Sequence, residues 1–272
     1  MSTETLSPPE LKTLDLEIDG QIGTLTLNRP DAFNAMSPEM ILEMTVAFAW
    51  LADRSGLRGL IVTGAGKAFC AGGDVNTFQQ GVQSDEIDLP SEVRRGAEAL
   101  HQAIVDLRRI PFPVIAAVNG PAAGAGFSLA LACDLIVAAS DARFMVSHGK
   151  LGLSPDGGAT WLLARSLPRA LAQQLIWLAE PIGAEALQGH GVVTEVTPSG
   201  QALDAALQLA DRLAAMAPNA LASAKELIEK AGDSTLFAQL AAERDHFLDN
   251  LFQANGAEGI QAFLEKRAPR FS

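Results

Sequence analysis

Cysteine is scarce in this chain: Cys70 and Cys133 are the only two in 272 residues, too few for a disulfide framework and consistent with a reducing compartment. Both stand among small and apolar neighbours, so both are expected to be buried thiols. Positive charge is also short. Twenty lysines and arginines face 32 acidic residues, a formal charge of −12, and this balance lacks the basic footprint that nucleic acid or an anionic membrane requires. Neither partner is expected. Residues 113–140 are strongly apolar, but Asn119, Pro121, Ser128 and Asp134 interrupt them and glycines divide them, so they read as strand, turn, helix and strand and not as a membrane span. Residues 1–12 have no charged-then-apolar export pattern, and a cytoplasmic location is expected. His101, His190 and His246 show no metal-ligand spacing with one another or with the cysteines, so no metal is expected.

What is present is a large apolar fraction, 48% against 19% charged residues, enough for a sizeable core. Residues 1–13 read as a loose lead-in marked by Pro8-Pro9. Leu14 to Asn28 alternates around Asp19-Gly20, a hairpin signal. Ser37-Pro38-Glu39 opens a helix carrying Ile41, Leu42, Met44, Val46, Phe48 and Leu51. Leu60 to Val62 and Pro113 to Val118 read as buried strands with a long helix between them, ending before Pro111. Phe127 to Cys133 reads as helix and Asp134 to Val137 as strand. This alternation predicts an α/β fold with a mostly parallel sheet over residues 14–200. Six helices follow Pro168, with Val192 to Val196 extended among them, and residues 201–272 form a helical C-terminal region. His190 is expected at the surface, and Trp161 and Trp177 in the core or a pocket wall.

Two glycine-rich turns, Cys70-Ala71-Gly72-Gly73-Asp74 and Gly124-Ala125-Gly126, each follow an apolar strand-like run. Small residues at a strand end let backbone N–H groups approach a ligand. If the Ala71 and Ala125 amides converge on one oxygen, they form an oxyanion hole, with single donors worth about 3–4 kcal/mol in the transition state.

These turns, together with Leu27 to Pro30, Asn34 to Ser37, Lys67 to Asp74, Ala117 to Gly120 and Ala262 to Arg267, resemble the crotonase (enoyl-CoA hydratase/isomerase) superfamily from about Leu14 to Phe271. The resemblance implies a spiral of ββα repeats with a C-terminal helical trimerisation region, as a homotrimer or dimer of trimers. It implies an acyl-CoA thioester as substrate, with no separate cofactor, its carbonyl held by the amides of Ala71 and Ala125. Arg29 and Ala35 fall where the family wraps CoA, as do Phe263 and Lys266 on the last helix. Gly72, Gly73, Gly124 and Gly126 shape the two turns, and Asp74 caps the following segment and orients the Ala71 amide.

The two positions where the family's hydratases carry glutamates hold Ser128 and His148. A serine hydroxyl has no useful basicity without a partner, so the two-glutamate mechanism is not supported. Lys150 to Trp161 resembles the phenylacetate-pathway ring-epoxide isomerases and Δ3,Δ2-enoyl-CoA isomerases, where the aspartate after the proline is the acid/base. Here that is Asp156, with Trp161 as a candidate pocket wall. Read without the resemblance, Pro155-Asp156-Gly157 is a turn whose aspartate caps a helix. The resemblance favours an enoyl-CoA isomerase, with a hydratase and a catalytically silent acyl-CoA-binding subunit as alternatives. Residues 81–90 fall where the family varies its acyl pocket.

Overall fold

The computed structural model describes residues 8–75 and 89–272, with the side chains of residues 89 and 90 excepted. The 81–90 segment singled out above therefore lies largely outside the described residues. Strands β1 (Leu14–Asp19) and β2 (Ile22–Leu27) form the antiparallel hairpin read around Asp19-Gly20, with Leu14 opposite Leu27. Beyond β2 the sheet is parallel. It adds β3 (Gly59–Gly64), β4 (Val114–Val118), β6 (Leu135–Ala139) and β9 (Glu195–Thr197), in the order β1-β2-β3-β4-β6-β9.

Burial on both faces explains why the central strands read as unbroken apolar runs. Leu60, Val62, Val114, Ala116, Val118, Ile136 and Ala138 point into the main core. Their alternates Ile61, Ile115, Ala117 and Val137 point the other way, against Ala206 and Ala210. Those two alanines lie on helix Ala202–Ala214, which the sequence grouped with the C-terminal region. That helix is the second wall of the sheet.

Helix α1 (Pro38–Ala52) starts where the sequence placed it, because the Ser37 hydroxyl accepts from Met40 N–H at 3.2 Å and Pro38 fills the first turn. It buries Met40, Met44, Ala47, Phe48 and Leu51 and leaves Leu42 and Val46 exposed, against the sequence expectation. Two residues beyond a buried position is about 200° around the helix, which turns both side chains outward. The end of the lead-in is anchored to α1. Glu43 on α1 accepts from Lys12 N–H, Thr13 N–H and the Thr13 hydroxyl at 2.8, 2.9 and 2.6 Å, tying the chain down before β1.

Helix α2 (Leu89–Arg109) packs on α1 and buries Leu100, Ala103, Ile104 and Leu107. Helix α3 (Ala125–Ala132) is buried along its whole length. A second sheet of β5 (Ala122–Ala123), β7 (Arg143–Met145) and β8 (Ile182–Gly183) escaped the sequence reading, being too short to show a period. Helix α4 (Ala159–Ser166) follows the Pro155-Asp156-Gly157 turn, and α5 (Arg169–Leu178) and α6 (Ala184–Gly189) fall where expected. The chain closes with α7 (Ala202–Ala214), α8 (Pro218–Ala231), α9 (Leu236–Leu251) and α10 (Ala254–Glu265). No described helix is long and apolar enough to cross a membrane.

Both thiols are buried, as the sequence suggested, and burial pushes Cys70 up to about 12 and Cys133 higher still. Trp177 departs from expectation: it is 73% exposed on α5. His190 is at the surface.

Where α3 begins, a β-carbon on Gly126 would lie 2.3 Å from the Cys70 carbonyl oxygen, so the helix and the first glycine-rich turn meet backbone to backbone. Gly126→Ala is expected to cost about 3 kcal/mol, the upper range for overpacking, because a backbone atom cannot move aside. Gly189→Ala, with nothing within 4 Å, should stay within about 0.5 kcal/mol of the parent. Urea unfolding of both variants checks this, read as midpoints at unchanged slope.

Candidate active site

Asn34 organises the approach to the first turn. Fully buried and left-handed at φ 57°, it donates through Nδ2 to the Ala65 and Ala68 carbonyls at 2.9 and 2.8 Å and accepts from Arg29 N–H through Oδ1. Asparagine tolerates this backbone better than most residues. Arg29, expected near CoA, is committed within the chain: its guanidinium donates to the Ala35 carbonyl at 2.5 Å and pairs with Asp74 at 3.1 Å. Arg29 and Asp74 thus brace the turn from both sides, and Ala35 takes part through its carbonyl.

The turn itself corrects the sequence assignment of the amide donor. Ala71 N–H is spent on the Phe33 carbonyl at 3.0 Å. Around Gly73 the chain makes a parallel bridge with Met36, in which Met36 N–H bonds to the Gly72 carbonyl and Asp74 N–H to the Met36 carbonyl. In such a bridge the central residue's own N–H points away from the partner. Gly73 N–H has no partner among the described residues. The free amide of this turn is Gly73's, two residues past the one inferred.

Ala125 is the first residue of α3, where the helix cannot satisfy its own N–H. Gly72, at φ 103°, packs so close that its β-carbon would lie 3.5 Å from Ala125 N and 2.9 Å from the Ala123 carbonyl. That approach brings the Gly73 and Ala125 turns side by side. Gly124, at φ 52°, leads into α3 and leaves room for the Ser147 hydroxyl and the His148 ring, whose Cε1 would be 3.7 Å from a β-carbon there.

Ser128, one turn into α3, is buried, and its hydroxyl donates to the Asp156 carbonyl at 2.8 Å. A β-carbon on Gly157 would be 2.9 Å from Ser128 Cβ, so the Pro155-Asp156-Gly157 loop lies directly on α3. Asp156 does not cap α4. The cap position is Gly158, with no side-chain bond, and the Asp156 carboxylate turns instead to Gly157 N–H at 2.6 Å and to His101 Nε2 at 2.5 Å. His101, on α2, is a site residue that the sequence reading missed. Its only sequence signal is its place beside buried Leu100, whose Cδ2 would be 3.7 Å from a Gly157 β-carbon.

His148 lies in the 3-10 turn Ser147–Leu151 with its Nδ1 buried and without a partner. Burial pushes its imidazole below the ordinary value, and the Asp156 carboxylate opposes this only in part. Trp161 is exposed, against the expectation of a core or pocket-wall place, and its ring is taken by cations, Arg165 at 3.7 Å and Arg108 at 5.2 Å from the centroid. Phe263 and Lys266 stand exposed at the end of α10, which packs on α9. Among the described residues no group of three histidine, cysteine or acidic side chains could hold a metal.

Two turns presenting free amides, with one carboxylate over the adjoining helix, form a site for stabilising an oxyanion and moving a proton. The family described as Enoyl-CoA hydratase/isomerase matches residues 17–272. The chain is 38% identical over 255 residues to the 1,2-epoxyphenylacetyl-CoA isomerase of Escherichia coli (strain K12), covering 94% of this chain and 96% of that protein. It is 37% identical over 247 residues to the 2,3-dehydroadipyl-CoA hydratase of the same strain, covering 91% and 93%. Among solved structures, an enoyl-CoA hydratase from Polaromonas sp. JS666 is similar at TM-score 0.91 and 48% identity, covering 95% of this chain and 99% of that one. By sequence and by fold, the chain belongs to the enoyl-CoA hydratase/isomerase family of the crotonase superfamily.

Proposed function

We propose that this enzyme is an enoyl-CoA isomerase that moves a double bond along an acyl-CoA thioester. The observation that carries the reading is Asp156, the single carboxylate held over α3 among the described residues, while Ser128 and His148 occupy the positions a two-carboxylate hydration would use. The thioester oxygen is received by the N–H groups of Gly73 and Ala125. Asp156 takes a proton from C2 of a 3-enoyl-CoA. The C–H electron pair moves into the thioester, giving a dienolate whose oxyanion the two amides stabilise by about 3 kcal/mol each. The protonated Asp156 then returns the proton to C4 as the double bond settles between C2 and C3, leaving its carboxylate as it began. No water or redox partner is consumed.

Ser128 serves this scheme by holding the Asp156 backbone. His148 serves as a neutral wall. Its folded-state value lies below that of the unfolded chain, so the folded state binds the proton less readily, and acidification below the ordinary imidazole value works against the fold. A second reading, hydration of 2-enoyl-CoA, is supported by the hydratase relative and would need Asp156 alone to activate the water.

Exposed Phe237 and Phe247 on α9, Phe263 on α10 and Phe252 between the two helices support assembly through the C-terminal helices. A homotrimer or a dimer of trimers is expected by light scattering, and a monomer would refute it.

The main test mixes the protein with 3-enoyl-CoA and 2-enoyl-CoA in deuterated water and follows the products by mass spectrometry. Conversion of the 3-enoyl to the 2-enoyl form is expected, falling about 10²- to 10⁴-fold in Asp156→Asn. Formation of a hydrated product alone would replace the isomerase reading with the hydratase one. In histidine NMR titrations, His148 should become charged at lower pH than an exposed imidazole, and a value at or above the ordinary one would contradict its role as a neutral wall.

A further inference from the structure

The two oxygens of Asp156 are not equivalent. Oδ1 receives both protein donors, Gly157 N–H at 2.6 Å and His101 Nε2 at 2.5 Å, while Oδ2 has no hydrogen-bond partner among the described residues. An oxygen already accepting an amide proton is an acceptor, so the imidazole facing it carries its hydrogen on Nε2. The resulting bond to a carboxylate is of the strong, charge-assisted kind.

The two donors come from different places. Gly157 N–H belongs to the Asp156 loop itself, whereas His101 stands on α2, a helix anchored by Leu100, Ala103, Ile104 and Leu107 in the core. Leu100 also packs toward Gly157, so the helix that carries His101 touches the loop that carries Asp156. The imidazole thus ties a loop carboxylate to a rigid element, and its side chain remains half exposed.

We propose that His101 is a positioning residue for Asp156: it locks Oδ1 so that Oδ2 alone carries the migrating proton. The inference rests on the reading of Asp156 as the acid/base. A proton lifted from C2 and returned to C4 must be presented twice from one place, and a carboxylate free to rotate would spend much of its time misaligned for one of the steps. Misplacement of this order costs up to about 10²-fold in rate.

The test uses the intact enzyme and its variants His101→Ala, His101→Gln, Asp156→Asn and Asp156→Ala, with kinetics on 3-enoyl-CoA and NMR of histidine-labelled protein. His101→Ala is expected to lower kcat about 10- to 100-fold with KM within two-fold, and His101→Gln, which keeps an N–H donor, to recover part of the loss. Added to Asp156→Asn, His101→Ala should cost nothing further. In the NMR experiment the His101 Nε2–H proton should appear far downfield and vanish in Asp156→Ala. An isomerase whose kcat is unchanged in His101→Ala, or whose loss is undiminished in the Asp156→Asn background, overturns the inference and leaves the isomerase reading standing. A wild-type protein that shows the downfield proton yet isomerises no enoyl-CoA overturns the functional reading, and the proposed role falls with it.

Discussion

Three contacts around the two glycine-rich turns bring backbone against backbone at distances that leave no space for a β-carbon. Gly64 meets the carbonyls of Ala68 and Phe69, Gly120 meets that of Lys67, and Gly126 meets that of Cys70, with the added carbon at 2.2 to 2.4 Å in each case. Together they draw the loop after β3, the turn after β4 and the start of α3 into one block. The site depends on that block, because an amide presented to a ligand is useful only if its neighbour cannot drift. Asn34 adds the polar counterpart, bridging Arg29 to Ala65 and Ala68 from a fully buried position. Side-chain packing alone would place these loops less closely, since every side chain between them adds several ångströms and a choice of rotamers.

The sheet supplies the rigid base for this block. Its central strands are covered by α1, α2 and α3 on one face and by α7 on the other, so each buries both sets of alternating residues. The two glycine-rich turns leave from its strand ends. The Gly73 turn follows β3 and the Ala125 turn follows β4, neighbours in the sheet with Val62 beside Ala116. Parallel pairing makes both turns emerge at the same end of the sheet, which is how two segments about fifty residues apart come side by side.

The Asp156 loop is held differently. It belongs to no sheet and is secured by side chains: Ser128 to its carbonyl, His101 to its carboxylate, and Gly157 pressed against Ser128. A small residue at 128 is therefore part of the loop's seat. A longer side chain there would meet Gly157, so Ser128 reflects a loop lying close on α3 and Asp156 entering from above it. His148 is less easily protonated than an exposed imidazole because it is buried, with the Asp156 carboxylate opposing this in part.

The α/β class, the hairpin, the parallel strands and most helices were legible in the sequence because each rests on local periodicity and turn chemistry, and the glycine-rich motifs located both turns. Short-range rules failed where partners are distant. β5, β7 and β8 hold two or three residues each and exist only through their pairing; Leu42 and Val46 are apolar but lie on the outward arc of α1. Ala71 looked like the amide donor because a motif names a turn but not which N–H the turn leaves free, and Phe33, nearly forty residues earlier, settled that by occupying it. His101 carried no motif at all. Local sequence thus determined which segments become strands, helices and glycine turns, since those choices depend on residues within a few positions of one another. Only the tertiary structure decided which amides remain unpaired and which side chain meets the Asp156 carboxylate, because a hydrogen bond is allotted by contact in space between segments whose separation along the chain carries no signal.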